Sequence, residues 1–363
     1  MKRKLIVLCA IFLYACESDD NTQPEQPEDP YGKGVIVVNE GNFTDNNGTL
    51  TFLPASTQNI TYDVFLKENN QSLTGGISGY GEVNGKGIIL VDNSGAGQDK
   101  IEIVNAGTFK LEATIPSAEI ENPREVVKAG ETKAYVTAWD ATGSWPDTYI
   151  NPGYIAVLDL TSNKLTKKIP VQHGAQSIVI VGSEAFVGNI YSGKTIITVV
   201  DINTDAVKQT IEAGADPNVI GVDANNKLWV YAGGALKKIN PSSKVIESTV
   251  TLNPASAGQS PGKFVLSHDK KTLYFTLSAY DENWNEIGQV YSTSVDVNTI
   301  NATTPLIRKV FYGMATDPET GTIYGGLVPS FKQAGYVFRY QPTGTLIDSV
   351  KAEIAPSKFF FRK

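Results

Sequence analysis

Three carboxylates recur at matching places in three successive repeats of the sequence. Glu40, Asp92 and Asp140 each fall just after a short apolar run. Equivalent side chains of repeated units can converge on one point, and carboxylate oxygens are the ligands that hard divalent cations prefer. A metal held there would activate water or polarise a carbonyl, so the residues permit a metal-dependent enzyme of the lactonase or lyase type. The later repeats carry amide or tyrosine side chains at that place, and solvated loop acids are the simpler interpretation.

Other catalytic patterns are weak. The sequence contains two histidines, His173 and His268, and neither belongs to a cluster with the spacing of a zinc site. A serine hydrolase of the common α/β type would carry a Gly-x-Ser-x-Gly turn, and no such turn occurs. The sequence therefore favours a binding protein over an enzyme, and it implies no cofactor.

Aromatic side chains concentrate in the loops that follow the second predicted strand of each repeat. Contiguous exposed aromatic surface usually marks a contact site, although each ring could instead pack within its own loop. Taken together, these loops predict a ligand-binding face. The residues concerned are Phe43, Trp139, Trp145, Tyr149, Tyr191, Tyr280, Trp284 and Phe331.

Polar side chains recur at the start of the first strand of several repeats. Arg124, Gln176 and Asn218 occupy one template position, and Lys263 and Lys358 follow one step later. If these strands line a central channel, the side chains offer amide and cationic donors to a large ligand that is partly polar and partly apolar. Ordinary solvation of a channel explains the same residues almost as well.

The elements that must position these residues are short β-strands. Runs rich in Val, Ile, Tyr and Thr alternate with turns of Gly, Asn, Asp and Pro, and almost no apolar pattern has helical spacing. One template of four strands recurs, which is typical of a propeller blade. Its copies span residues 123–171, 175–213, 217–252, 261–310, 312–354 and 76–115.

The two chain ends complete the repeat count. Residues 35–39, 50–53 and 60–65 supply three strands, and residues 358–361 supply one more. Pairing the ends in one blade removes an exposed strand edge. The sequence therefore predicts an all-β fold: a single seven-bladed β-propeller with four antiparallel strands per blade, whose N- and C-termini close one shared blade.

The first thirty residues predict export. Lys2, Arg3 and Lys4 precede an apolar segment too short to span a bilayer, which is typical of a signal peptide over residues 1–15. Residues 16–30 begin with Cys16 and continue as an acidic, proline-rich stretch that cannot bury enough apolar surface to fold, so we expect an extended tether. Residues 31–363 then form the propeller. The formal net charge of −7 argues against a nucleic-acid partner.

Two resemblances sharpen these expectations. Leu13-Tyr14-Ala15-Cys16 resembles a bacterial lipobox, which implies lipidation at Cys16 and membrane attachment through the lipid alone. The acidic run Glu17-Ser18-Asp19-Asp20 resembles the signal that sends lipoproteins of Bacteroidota to the outer face, which implies an outer-membrane location facing the cell exterior, although the same charges could serve only to keep the tether soluble. Asp159-Leu160-Thr161 and Asp201-Ile202-Asn203-Thr204 resemble the turn of YVTN or YncE-like seven-bladed propellers.

The opening strand VIVVNEGNF and the lipobox followed by acids resemble the surface propeller lipoproteins of Bacteroidota, including the BtuG type. That resemblance implies capture of cobalamin, or of a similar large ligand, beside a TonB-dependent outer-membrane transporter. A fold does not identify its ligand. A glycan-binding or protein-docking scaffold and the metal-dependent enzyme therefore remain alternatives.

Overall fold

The computed structural model describes residues 29–56, 59–144, 147–254, 256–283 and 285–363. These residues form seven small sheets, which we number as blades in chain order. Blade 1 contains β1 (Gly34–Asn39) and β2 (Thr49–Pro54), which a short helix, α1 (Val64–Asn69), follows. Among the described residues, no helix is long and apolar enough to cross a membrane.

The strands of the next three blades follow one another without interruption. Blade 2 consists of β3 (Gly76–Val83), β4 (Lys86–Asp92), β5 (Lys100–Asn105) and β6 (Leu111–Ile115). Blade 3 consists of β7 (Pro123–Lys128), β8 (Lys133–Ala138), β9 (Tyr154–Asp159) and β10 (Lys164–Pro170). Blade 4 consists of β11 (Ala175–Val181), β12 (Glu184–Asn189), β13 (Ile196–Asp201) and β14 (Ala206–Glu212).

The remaining strands close the ring. Blade 5 consists of β15 (Asn218–Val222), β16 (Leu228–Ala232), β17 (Ala235–Ile239) and β18 (Ile246–Asn253). Blade 6 contains β19 (Ser260–Leu266), β20 (Thr272–Tyr280) and β21 (Glu286–Ser294), followed by the short β22 (Thr299–Asn301). Blade 7 consists of β23 (Gly313–Thr316), β24 (Ile323–Leu327), β25 (Ala334–Tyr340) and β26 (Leu346–Ile354), and β27 (Pro356–Arg362) ends the chain.

The innermost strand is β27 in blade 1 and the first strand in every other blade. These inner strands contact one another in the cyclic order β27, β3, β7, β11, β15, β19, β23 and back to β27. In blade 1, β27 pairs with β1 and β1 with β2, both antiparallel. The predicted propeller of seven antiparallel blades, closed by both chain ends, is therefore confirmed.

The core lies between blades because each central strand presents alternate side chains to its two neighbouring blades. In β12, Ala185 and Val187 pack against blade 3, whereas Phe186 packs against Leu228 and Val230 of blade 5. The same arrangement at every boundary gives seven apolar clusters.

Close approach between blades explains two glycines in second strands. A Cβ on Gly188 would lie 2.0 Å from the carbonyl oxygen of Pro217, and one on Gly326 would lie 2.0 Å from that of Pro356. Because both neighbours are backbone of the adjacent inner strand, neither can move aside cheaply.

Two outer strands differ from expectation. Residues 60–65 do not form a strand: Thr61 makes a single bridge to Phe52, and α1 then begins. The Asp63 side chain accepts a hydrogen bond from Leu66 N, which caps the helix and turns Val64 and Phe65 into the core. In blade 6 the fourth strand is likewise reduced to one bridge, between Val290 and Ile307.

The short strand β22 joins blade 5 instead of blade 6. Its residues Thr299–Asn301 pair in parallel with the last three residues of β18. The pairing of β18 with β17 ends at Val250, so the protruding end of β18 has free backbone groups that β22 satisfies.

The chain enters at one end of the ring. Tyr31 is buried, and its hydroxyl hydrogen-bonds to Glu68. Arg362 of β27 forms ion pairs with Asp29 and Glu82. The Arg362–Asp29 pair fastens the first described residue to the C-terminal strand, and the Tyr31–Glu68 hydrogen bond fastens Tyr31 to α1. The predicted boundaries at residues 15 and 30 remain predictions, and Cys16 lies outside the described residues.

Candidate functional site

The loops between second and third strands share one end of the ring, which we call the mouth face; the opposite end is the base face. The residue after a second strand donates its backbone N–H across the blade to the residue before the inner strand. Glu40 N donates to the Ala355 carbonyl at 2.8 Å, and Trp139 N donates to the Asn122 carbonyl at 3.1 Å. Glu40 and Trp139 therefore occupy equivalent places in blades 1 and 3.

Bulges in the inner strands aim polar side chains into the channel. The register shifts between Pro123 and Val126 in β7, between Ala175 and Ile178 in β11, and between Gly262 and Val265 in β19. A bulge leaves its residues unpaired and redirects their side chains. The bulged residues include Arg124, Gln176 and Lys263.

These bulged side chains line a cavity of about 270 Å³ at the channel opening, which we call the mouth cavity. Its lining also includes Lys358 from β27, the carboxylate of Glu40, and the rings of Trp139, Tyr191 and Tyr312. The structure thus brings together Arg124, Gln176, Lys263 and Lys358 as predicted.

Asn218 does not belong to this group. It is exposed and pairs opposite Tyr231 at the regular start of β15. The bulge of that strand falls later, around Ile220, so the redirected side chain is apolar. The prediction placed Asn218 at the mouth because it assumed the same register in every blade.

Arg124 is the centre of the best-defined contacts. Its guanidinium lies 3.5 Å from the centre of the Trp139 ring, and Nη1 lies 2.8 Å from Asp92 Oδ2. Trp139 Nε1 donates to Gln176 Oε1 at 3.0 Å, and the indole contacts Tyr149 edge-on at 5.7 Å. Four residues of the predicted ligand-binding face and the candidate carboxylate of Asp92 therefore form one packed group, with the tryptophan fixed on several sides.

A second layer of polar residues holds that group in place. The Asn122 side chain donates to Asp92 Oδ1 at 3.1 Å, and Asn122 N donates to Asp99 Oδ2 at 2.7 Å. Asp99 also accepts from Asn93 N at 2.6 Å. The sequence alone did not identify Asp99 or Asn122 as site residues. The position of Asn122 directly before Pro123, at the start of an inner strand, was the one available signal.

Tyr312 connects the mouth cavity to blade 7. The sequence alone did not identify it as a site residue. Its hydroxyl donates to Glu40 Oε2 at 2.7 Å, and burial beside that carboxylate raises the pKa of Tyr312. Its ring meets Phe331 edge-on at 5.3 Å. The Lys263 ammonium lies 4.9 Å from the centre of the same ring.

Among the predicted aromatics that the structure describes, Tyr191 is the most exposed, at 75%. Its backbone is left-handed, with φ of 56°, which is uncommon for a bulky residue. Asp216 Oδ1 accepts hydrogen bonds from Ser192 N and Gly193 N, at 3.0 and 2.9 Å, and so holds the loop. The ring is thereby presented at the rim of the mouth cavity.

Three other predicted aromatics line two cavities beside the first. One, of about 640 Å³, includes Phe43, Phe331 and Trp139. The other, of about 510 Å³, includes Tyr280, Phe331 and Tyr312. Shared residues make the three cavities one continuous depression across the mouth face. Trp145 and Trp284 lie outside the described residues.

The three carboxylates do not occupy equivalent places. Asp92 opposes the first residue of its inner strand, the place that Asn39 and Ala138 hold in blades 1 and 3. Glu40 follows Asn39 by one residue, and Asp140 follows Ala138 by two residues, so neither acid lies opposite the first residue of an inner strand. Within the described ranges, no three acids, histidines or cysteines are grouped as a metal site would require.

Several carboxylates near Arg124 are nevertheless close enough to repel one another. Burial, together with the nearby carboxylates of Asp99, Asp140 and Asp92, raises the pKa of Glu121 to about 7. His173 is half-buried, and its pKa is lowered by burial and by Lys194. His268 lies beside Gly321, at the turns of the base face.

Comparison with known proteins supports the fold and supplies a family. No curated protein is significantly similar to the chain. A quinonprotein alcohol dehydrogenase-like protein of Bacteroides thetaiotaomicron superposes with a TM-score of 0.65 at 17% identity, covering 92% of this chain and 79% of that one.

Two further structures show the same likeness. A functionally unknown protein of Desulfotomaculum acetoxidans has a TM-score of 0.60 at 14% identity, over 91% of this chain and 99% of that one. Hydrazine synthase of Kuenenia stuttgartiensis has a TM-score of 0.52 at 15% identity, over 74% and 85%. At these identities the likeness concerns the fold alone. The model of a domain of unknown function, DUF5074, matches residues 33–361, and the chain therefore belongs to that family.

Proposed function

We propose that this protein is an exported, lipid-anchored binding protein that captures a large ligand on its mouth face. The ligand we favour is a corrinoid such as cobalamin, delivered to a TonB-dependent transporter in the outer membrane. The observation that carries the binding proposal is the continuous depression around Trp139, in which exposed aromatic rings surround fixed polar side chains.

The composition of this depression suits a broad ligand with an apolar face and a polar edge. Phe43, Tyr191 and Phe331 are 61%, 75% and 43% exposed, so covering them removes apolar surface from water. Rigid aromatic and arginine side chains carry much of the affinity at such sites. A corrinoid offers a broad macrocycle edged with amide groups, which can exchange hydrogen bonds with Gln176 and the cavity cations.

The pairing of the acids favours binding over metal-dependent catalysis. Glu40 accepts the Tyr312 hydroxyl, and Asp92 is held by Arg124 and Asn122. A lactonase- or lyase-type metal would have to displace these partners. A glycan or a docked protein would use the same aromatic face, and the binding test below separates these ligands.

The proposal of export and lipidation rests on the sequence of residues 1–30, with Cys16 as the lipidated residue. The fold is compatible with it, because β1 runs from the base face to the mouth face and the chain enters at the base. An anchor attached there leaves the mouth face uncovered.

Titration with cyanocobalamin tests the proposal directly. The chain from residue 17 onward keeps every described residue and can be studied by calorimetry with tryptophan fluorescence recorded alongside. We expect one-to-one binding and quenching. W139A and Y191A should each weaken binding about tenfold or more, since each removes a central contact.

Y336A is the matched control, because Tyr336 is exposed but lines none of the three cavities. It should bind like the unaltered protein. Absence of corrinoid binding would overturn the assignment of the ligand, and glycans and lactones would then be titrated with and without calcium. Binding or lactone turnover that a chelator abolishes would support the metal-dependent alternative instead.

A further inference from the structure

One cation of the mouth cavity differs from its neighbours. Arg124 is paired with Asp92 at 2.8 Å, and Lys358 with Glu125 at 2.6 Å. Lys263 takes part in no ion pair with any described residue; its ammonium rests over the Tyr312 ring instead. The cavity therefore contains two compensated cations and one without a direct partner.

The surroundings of Lys263 act on its ammonium in two opposite directions. Loss of hydration lowers the pKa of its ammonium, although Glu286 and Glu40 act in the opposite direction from more than ion-pair distance. The residue as a whole is exposed, and its side chain lines the mouth cavity. Its backbone is left-handed, with φ of 47°, a conformation that costs free energy outside glycine and is often retained at functional sites.

A second donor is directed to the same cavity. Gln176 Oε1 accepts the Trp139 indole N–H, which fixes the amide and leaves its NH₂ group as the side able to donate. That group makes no hydrogen bond within the described residues. An ammonium and an amide N–H without partners in one small cavity form a complementary site for an oxygen anion.

We propose that the mouth cavity binds an anionic oxygen group of the ligand, a carboxylate or a phosphodiester, through Lys263 and Gln176. This inference rests on the proposed function, since it assigns a chemical group to the ligand of the same face. The cavity volume of about 270 Å³ admits such a group but not a large ligand as a whole, whose remainder would lie across the aromatic depression.

Two small anions test the inference without the complete ligand. Acetate and dimethyl phosphate are titrated calorimetrically into the chain from residue 17 onward at low ionic strength. We expect at least one of them to bind with one-to-one stoichiometry. Binding of acetate alone identifies a carboxylate site, and binding of dimethyl phosphate alone identifies a phosphodiester site.

Three variants make the result specific. K263Q should weaken anion binding about tenfold or more, because a charge-assisted hydrogen bond is lost. E40Q keeps an acceptor for the Tyr312 hydroxyl while it removes a nearby negative charge, and it should tighten binding. K332Q is the control, since Lys332 is an exposed lysine of the mouth face outside the cavity lining.

The inference is wrong if neither anion binds, if K263Q binds like the unaltered protein, or if K332Q weakens binding as much as K263Q. Cyanocobalamin titrated into K263Q separates this result from the proposed function. Corrinoid binding without anion binding refutes the anion site and leaves capture intact, whereas anion binding without corrinoid binding does the reverse.

Discussion

The crowded carboxylates beside the mouth cavity make folding stability depend on pH. In the folded protein the pKa of Glu121 is raised to about 7 from an ordinary value of 4.5. Between these values the folded state retains a proton that the unfolded chain has lost. Stability from this residue is therefore greatest below pH 4.5 and declines as the pH rises to about 7.

The variant E121Q should remove that decline, because glutamine remains neutral at every pH. Each pKa unit corresponds to about 1.4 kcal/mol, so the shift sets an upper limit of about 3.4 kcal/mol. Glu121 is partly exposed, and solvent screening lowers the expected effect to about 1 kcal/mol. E121Q should thus be more stable than the unaltered protein by that amount at pH 8 and by only about 0.3 kcal/mol at pH 4.5, where the carboxyl of the unfolded chain is half ionised.

Urea unfolding at pH 4.5 and at pH 8, followed by tryptophan fluorescence, measures this difference. E119Q is the control for loss of one negative charge, since Glu119 is an exposed carboxylate two residues away. Parallel pH profiles for E121Q and the unaltered protein would show that Asp99, Asp92 and Asp140 do not crowd Glu121 as described.

Two further predictions concern the ring itself, and chemical denaturation checks both. G326A should lower the free energy of unfolding by about 3 kcal/mol, because the added Cβ would lie 2.0 Å from the Pro356 carbonyl oxygen. G32A is the control: its Cβ would lie 3.5 Å from the nearest atom, and it should change the free energy of unfolding by less than about 0.5 kcal/mol. R362M should cost about 3 kcal/mol, because it leaves the desolvated carboxylate of Glu82 without its cation at 2.8 Å. Adding E82Q should recover most of that loss, and no recovery would count against the ion pair.

Much of the ring could be predicted because each blade repeats one local pattern. Apolar runs mark the strands, and Pro123, Pro217 and Pro356 mark the start of inner strands. The pattern failed at residues 60–65, where Val64 and Phe65 are buried in a helix. A short apolar run has no periodicity that separates a strand from one helical turn, and only the Asp63 cap indicated the difference.

Residues of the candidate site could be predicted where they occupy the same position in each four-strand repeat. Contacts between different blades could not be predicted. Arg124, Gln176 and Lys263 were found because inner strands start alike. Asn218 was grouped with them, but the bulge of its strand lies two residues further along, and such a displacement leaves no trace in the sequence. Tyr312 could not be paired with Glu40 at all, since the chain places them far apart and only ring closure brings them together.

The way the chain enters has a mechanical consequence. β1 runs lengthwise from the base face, with β2 and β27 hydrogen-bonded along its two edges. A pull on the residues before Gly34 acts along the axis of β1, and antiparallel hydrogen bonds lie across that axis. Both ladders then bear the load at the same time instead of opening pair by pair. A propeller held by this end resists force through its most firmly embedded strand, whereas a pull on a peripheral strand would open its ladder one pair at a time.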